Sequence, residues 1–287
     1  MGSVVGGDGE PRDSLKRPEP RELNDMLIFF ILAALAYGSA SFAFGAGSGP
    51  ESTRKWGRRS LFVAACMHLA TIGGQCLEGN HPFRSVYLVS SLIVFLMVMG
   101  YLGLSSRGRE LRAMGAILGP VGLIGTTLGV WLGPGSVAVE GVSSPLMLWI
   151  HIGAAVFGVV GFGLSAGIAG LYLALERSLR TKTFSLGQNS GLSLKGLERM
   201  HGWLGLAAIP VFTVAIVTGV LVFRGSQVSV LESRGIELIA ASIAWLASVV
   251  SVIARTAWGI RGRRAAWLSI VAFASMLIIL ISYGVRG

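Results

Sequence analysis

Four histidines are the side chains of this sequence that could hold a cofactor. His68 and His151 each lie inside a long apolar run, His81 lies in the loop segment GNHPFRS, and His201 follows Arg199 by two residues. An imidazole inside an otherwise apolar membrane helix either holds a ligand or bonds to a neighbouring helix. His68 and His151 are therefore the first candidates for a cofactor site.

Other kinds of chemistry are missing from the sequence. No Asp, Glu, Lys or Arg lies deep within an apolar run, although ion-coupled transporters and proton pumps use such groups as relays. No HExxH, P-loop, dinucleotide fingerprint or Ser/His/Asp set is present, so we expect no catalytic residue and no independent catalytic activity. CxxCH is absent, which excludes covalent c-type haem. Cys66 and Cys76 stand ten residues apart in one predicted helix and cannot pair.

The composition is that of a membrane protein, with 53% hydrophobic residues, 13% charged residues and a mean hydropathy of +0.69. Gly163 and Gly167 form a GxxxG pair in the fifth apolar run, which predicts a closely packed neighbouring helix. We expect an all-α bundle of eight transmembrane helices forming one domain over residues 25–287, after a disordered polar tail over residues 1–24. The eight runs are 26–44, 60–76, 85–104, 111–132, 145–175, 200–223, 236–258 and 265–283.

The basic residues predict the orientation of the chain. Sixteen of the 24 Lys and Arg residues fall in the first, third, fifth and seventh loops. The positive-inside rule places those loops in the cytoplasm and both termini on the outer, periplasmic side of a bacterial inner membrane. The formal charge of +10 is explained by these short loops, so we expect the lipid bilayer, and not nucleic acid, as the partner of the basic residues.

His68 and His151 are predicted to lie at similar depths on different helices. His68 stands about nine residues before the end of the second run and His151 about six after the start of the fifth, which places both roughly 10–14 Å below the outer boundary. This arrangement suits two axial ligands of the iron of a non-covalent b-type haem. The alternative is that each imidazole bonds to a neighbouring helix. His81, expected in a solvated loop, and His201, expected at the membrane interface, are weaker candidates for cofactor binding.

Several segments resemble one known family. They are Trp149-Ile150-His151, LYLALER at 171–177, LKGLER at 194–199, IPVFTVAIVTG at 209–219 and RTAWGIRGRRAAW at 255–267. In this order and spacing the chain resembles the cytochrome c assembly protein family of the CcsA and HemX type. The resemblance implies a membrane protein that handles haem for c-type cytochromes. It also implies that His68 is an intramembrane haem histidine and that His151 is the first of two outer-face haem histidines.

The sequence departs from the family pattern at three places. The loop over 224–235 lacks the tryptophan-rich segment, Ile253 stands at the second intramembrane histidine, and the second outer histidine has no counterpart. We therefore expect a haem-binding membrane protein with haem b in the outer half of the bilayer and with c-type cytochromes or other membrane subunits as partners. One alternative is an electron-transfer or structural subunit of a larger cytochrome-containing respiratory or photosynthetic complex, and another is a haem-free scaffold that uses the eight helices for packing.

Overall fold

The computed structural model describes residues 20–45, 51–106, 111–133, 145–181, 193–224, 230–258 and 262–286. Over these residues the chain forms eight α-helices, each long and apolar enough to cross a membrane, and one short 3-10 helix, Pro82–Arg84. The expected all-α, eight-helix, multi-pass membrane fold is confirmed. The helices are α1 Pro20–Gly45, α2 Glu51–Leu77, α3 Val86–Ser106, α4 Arg112–Leu132, α5 Pro145–Arg180, α6 Leu194–Arg224, α7 Val230–Ala257 and α8 Arg263–Arg286.

Most helices extend past the apolar runs that predict them. The first begins at Pro20, so residues 20–24 are helical and do not belong to a disordered tail, while residues 1–19 lie outside the described part of the chain. A run defined by hydropathy ends at the first charged residues, whereas the helix itself continues because its backbone hydrogen bonds do not require apolar side chains. Pro120 stays inside α4 and Pro210 inside α6, so neither proline divides its run into two helices.

The helices pack as two groups of four. The first group is α1 to α4, and the second is α5 to α8, in which α5 packs most extensively on α6. The groups join where α5 meets α3 and α4, and where α8 meets α3. We call the two ends of the bundle the His151 end and the His201 end, after the histidines near the start of α5 and the start of α6. Which end faces the cytoplasm stays a prediction.

The fifth helix is the central element and uses its small residues in two ways. A Cβ placed on Gly161 would meet the Ala208 Cβ at 2.8 Å, so this face brings the α5 and α6 backbones close together. The GxxxG pair, Gly163 and Gly167, instead accommodates methionine side chains of α3 and α4. The predicted close packing at GxxxG is therefore made by side chains, the two methionines together with Phe273 of α8 at Gly163, rather than by a second backbone.

Candidate functional site

His68 is completely buried and is held by side chains from three other helices. Its Nδ1 atom lies 3.0 Å from the Tyr37 hydroxyl of α1 and 3.1 Å from the Thr126 hydroxyl of α4. Its Nε2 atom lies 2.8 Å from the Ser91 hydroxyl of α3. His68 therefore connects all four helices of the first group, and we call Tyr37, His68, Ser91 and Thr126 the four-helix node.

Both nitrogens of His68 are engaged in either neutral tautomer. The Thr126 hydroxyl donates its one hydrogen to the Gly122 carbonyl at 2.7 Å, so toward His68 it can only accept. If Nδ1 carries the proton, it donates to Thr126 and Ser91 donates to Nε2. If Nε2 carries the proton, it donates to Ser91 and Tyr37 donates to Nδ1. No ring nitrogen remains for an iron unless one of these bonds is broken, so His68 does not fit an axial haem ligand in this arrangement.

Aromatic rings and a second polar contact surround the node. The rings of Tyr37 and Phe95 each meet the His68 ring edge to face, with centroids 5.9 Å apart. Two helical turns further along α2, the buried Gln75 amide donates to the Gly129 carbonyl of α4 at 2.8 Å. A satisfied polar network of this kind fixes how neighbouring helices pack, which is the alternative that the sequence left open for His68.

His151 is hydrogen-bonded to the sixth helix through one ring nitrogen. Its Nδ1 atom lies 2.7 Å from the main-chain carbonyl oxygen of Ala215 on α6. A carbonyl can only accept, so Nδ1 carries the proton and the neutral ring keeps the Nε2 lone pair. Metal-ligating histidines commonly donate the other ring N–H to a carbonyl, which fixes the tautomer and the orientation of the ring. The same bond also matches the interhelical role that the sequence analysis kept as the alternative for this histidine, and Nε2 is the nitrogen that would be left for a ligand.

Gly219 makes room for the His151 ring. A Cβ placed on Gly219 would lie 2.7 Å from His151 Cε1, closer than real Cβ contacts, and 3.0 Å from Nδ1, which is tighter than most of them. Any side chain at this position of α6 would therefore move the imidazole. The IPVFTVAIVTG segment of α6 supplies both Ala215 and Gly219, so it orients His151 by hydrogen bonding and by shape.

His81 lies at the same end of the bundle as His151. Its ring centroid is 4.6 Å from that of Trp149, and the Phe83 ring is 5.4 Å from the same tryptophan. The Phe83 amide donates to His81 Nδ1 at 3.3 Å, so the Nε2 atom of the neutral ring carries the proton. His81 is half-buried in this aromatic cluster, which differs from the solvated loop position that the sequence predicts.

His201 is buried between helices, and its predicted depth at the membrane interface stays a prediction. The sixth helix begins at Leu194, seven residues before His201, so the imidazole lies within the packed part of the helix. Its Nδ1 atom lies 3.4 Å from the Ser269 hydroxyl of α8, and its main-chain carbonyl accepts a hydrogen bond from Ser165 of α5 at 2.8 Å. His201 is at the opposite end of the bundle from His151.

The structure therefore separates the two leading candidates. His68 bonds to Ser91 on α3, and α3 contacts both α2 and α5. His151 bonds instead to α6, in the second group of helices. A haem held by both histidines would need the four-helix node to open. Among the residues that the structure describes, no group of three or more His, Cys, Asp and Glu side chains could hold a metal ion.

Sequence reasoning missed the partners of these histidines. Tyr37, Ser91 and Thr126 are ordinary residues of apolar helices, and only their convergence on His68 gives them a role.

The sequence reasoning also missed Glu237, near the start of α7, which is buried and accepts a hydrogen bond from the Ser282 hydroxyl of α8 at 2.9 Å. A carboxyl group close to the edge of an apolar run was the available signal for Glu237.

Comparisons of the chain with protein-family models, with curated proteins and with solved structures gave no match. Membership of the cytochrome c assembly family thus stays a prediction. The structure shows eight helices long and apolar enough to cross a membrane, with His151 bonded to α6 and His68 bonded into the four-helix node.

Proposed function

We propose that this chain is a haem-handling protein of the bacterial inner membrane, similar in role to the cytochrome c assembly proteins, and that His151 supplies an axial ligand. The observation that carries the proposal is the 2.7 Å contact between His151 Nδ1 and the Ala215 carbonyl, which leaves Nε2 as the nitrogen that could coordinate. When bound, a b-type haem would supply an iron that accepts an axial nitrogen and carries one electron.

The residues around His151 would orient the ligand and cover it. Ala215 fixes the tautomer, and Gly219 fits against the ring without a side chain. The cluster of His81, Phe83 and Trp149 stands at the same end of the bundle, where its rings offer an apolar surface to a flat macrocycle. His81 would contribute there through its ring face, because its Nδ1 already accepts a hydrogen bond.

We assign His68 a structural part in this proposal. Its bonds to three other helices hold the first group together, and the family role of an intramembrane haem histidine would require Ser91 or the pair of Tyr37 and Thr126 to move away. Within the proposal, c-type cytochromes or other membrane subunits remain the partners. His201, at the opposite end of the bundle, is left out of the haem site.

The second candidate function is a structural or electron-transfer subunit of a larger cytochrome-containing membrane complex. The four-helix node favours its structural form, because a fully bonded His68 stabilises a bundle without any cofactor. The electron-transfer form uses one haem with two histidine ligands, and the engagement of both His68 nitrogens argues against that pair.

The test is the reduced-minus-oxidised absorption spectrum of the purified protein, before and after reconstitution with haem. We expect a b-type band that is lost in His151→Ala and in His151→Gln, whose amide can still donate to Ala215. His201→Ala should keep the band, as the matched histidine at the other end of the bundle. A band that survives His151→Gln would refute His151 as the ligand, and no band after reconstitution would favour the haem-free subunit.

A further inference from the structure

A cavity of about 240 Å³ opens between α5, α6, α7 and α8 at the His201 end. It is separate from His151, which lies at the other end of the bundle. Three of its six polar lining residues, Ser165, His201 and Ser248, are buried, two serines are half-buried, and Arg199 is exposed at its opening. The polar lining residues are Ser165, Arg199, His201, Ser248, Ser251 and Ser269.

Charge at this end of the bundle favours an anion in the cavity. Arg199 lines the cavity, and of the acidic side chains at the same end Glu176 forms an ion pair with Arg180 at 2.8 Å. Glu198 accepts a hydrogen bond from the Gly262 amide at 3.2 Å and keeps its negative charge, but basic residues outnumber the two glutamates here. Further basic residues of this end add to the positive potential. They are Arg177, Lys195, Arg263 and Arg264.

The serine hydroxyls can turn toward such a ligand. Ser248 donates to the Ala244 carbonyl of its own helix at 2.8 Å, and Ser269 to the Ala265 carbonyl at 3.3 Å. The Ala244 and Ala265 carbonyls already accept main-chain hydrogen bonds within their helices, so they do not depend on the serine hydroxyls. Exchanging them for a hydrogen bond to an anionic oxygen is favourable, because bonds to charged acceptors are stronger than neutral ones.

The remainder of the lining indicates that the ligand is an amphiphile. Trp203 and Leu206 line the cavity and are 65% and 43% exposed, so in a membrane they face lipid beside its opening. Arg199 lies near the start of α6 and its side chain is exposed, so in a membrane its long stem would carry the guanidinium toward the headgroups. Basic pockets between transmembrane helices at this depth bind anionic headgroups.

We propose that this cavity, which we call the serine pocket, binds the phosphate headgroup of an anionic phospholipid through Arg199 and the serine hydroxyls. The acyl chains would leave past Trp203 and Leu206 into the bilayer. The site is distinct from the proposed haem site, and its occupation needs no haem. A free phosphate anion offers the same chemistry, so the test must distinguish the two sources.

The test measures quenching of Trp203 fluorescence by phosphatidylglycerol with brominated acyl chains in the detergent-solubilised, haem-free protein. The Trp203→Phe variant defines the contribution of this tryptophan. We expect saturable quenching, with diacylglycerol of the same brominated chains binding at least about tenfold more weakly because it lacks the phosphate. Quenching that is equal for the two lipids would overturn the proposal.

Two variants test the site itself. Arg199→Gln should weaken phosphatidylglycerol binding about tenfold, whereas Arg263→Gln, the same substitution outside the pocket lining, should change it less than about twofold. Ser251→Leu, which fills the cavity from a half-buried position, should abolish saturable quenching. If Arg199→Gln and Arg263→Gln behave alike, or if Ser251→Leu binds normally, the proposal is wrong. Displacement of the lipid by millimolar inorganic phosphate would assign the site to a free anion, and resistance to it would assign the site to the headgroup.

Discussion

The Nε2 atom of His68 lies 2.8 Å from the hydroxyl oxygen of Ser91, which joins the second and third helices inside an apolar core. With Tyr37 and Thr126 on the other ring nitrogen, this bond makes His68 the central residue of the first helix group. His68, which the sequence predicts to be a haem ligand, is therefore hydrogen-bonded between helices in the structure.

Replacing His68 by Ala should destabilise the protein by about 2–4 kcal/mol, because it removes the bonds between helices and leaves a cavity. Thermal unfolding in detergent would measure the loss. Cys66→Ala is the control, since Cys66 lies exposed on the same helix and its removal should cost less than about 0.5 kcal/mol. If His68→Ala unfolds like Cys66→Ala but loses bound haem, the structural role of His68 is refuted.

Substituting Gly219 by Ala should displace the imidazole of His151, because the new Cβ would lie 2.7 Å from Cε1. We expect the bond to Ala215 to break and stability to fall by about 1–3 kcal/mol. A b-type spectrum, where one is found, should weaken or shift. Gly153→Ala, at a half-buried position of α5 with no atom within 4 Å of the added carbon, is the matched control. Equal stability and equal spectra for the two variants would contradict this description of the site.

Gly122→Ala should separate α1 from α4, because the added methyl group would overlap the ring of Tyr37. The ring is fully buried and bonded to His68, so it has no room to withdraw. The expected cost is about 1–3 kcal/mol, read from the unfolding midpoint. Gly38→Ala on α1 meets no atom within 4 Å and should be close to neutral. A neutral Gly122→Ala would show that the two helices pack more loosely than described.

The indole of Trp245 donates to the Thr213 hydroxyl at 2.9 Å, which links α7 to α6. A double-mutant cycle with Trp245→Phe and Thr213→Val should give a coupling energy of about 0.5–2 kcal/mol, the range for hydrogen bonds between transmembrane helices. Thr213→Val keeps the shape of the side chain, so packing changes little. A coupling energy indistinguishable from zero would mean that this bond does not hold the two helices together.

The fold class could be predicted from the sequence because each transmembrane helix satisfies its own backbone hydrogen bonds. Length and hydropathy therefore suffice to locate a span, and the runs at 111–132 and 85–104 agree with α4 and α3 within about two residues. The polar ends were harder to predict, as the starts of α1 at Pro20 and α6 at Leu194 show. There the helix continues through residues that a hydropathy window reads as loop.

The candidate site could be predicted only in part. The residue types and spacing selected His68 and His151, and counting along the helices placed them at similar depths. A predicted depth in the membrane, however, does not tell in which direction a ring points, because that depends on which helices surround it. Tertiary packing decided that His68 meets Tyr37, Ser91 and Thr126, and that His151 meets Ala215.

By itself, then, the sequence determined the number of spans and the identity of the histidines, because both follow from local composition. Only the tertiary structure decided that the nitrogens of His68 are engaged and that His201 is buried beside the serine pocket. The physical reason is that a hydrogen bond between helices needs two groups within about 3 Å, and residues as far apart along the chain as His151 and Ala215 reach that distance only when the helices pack.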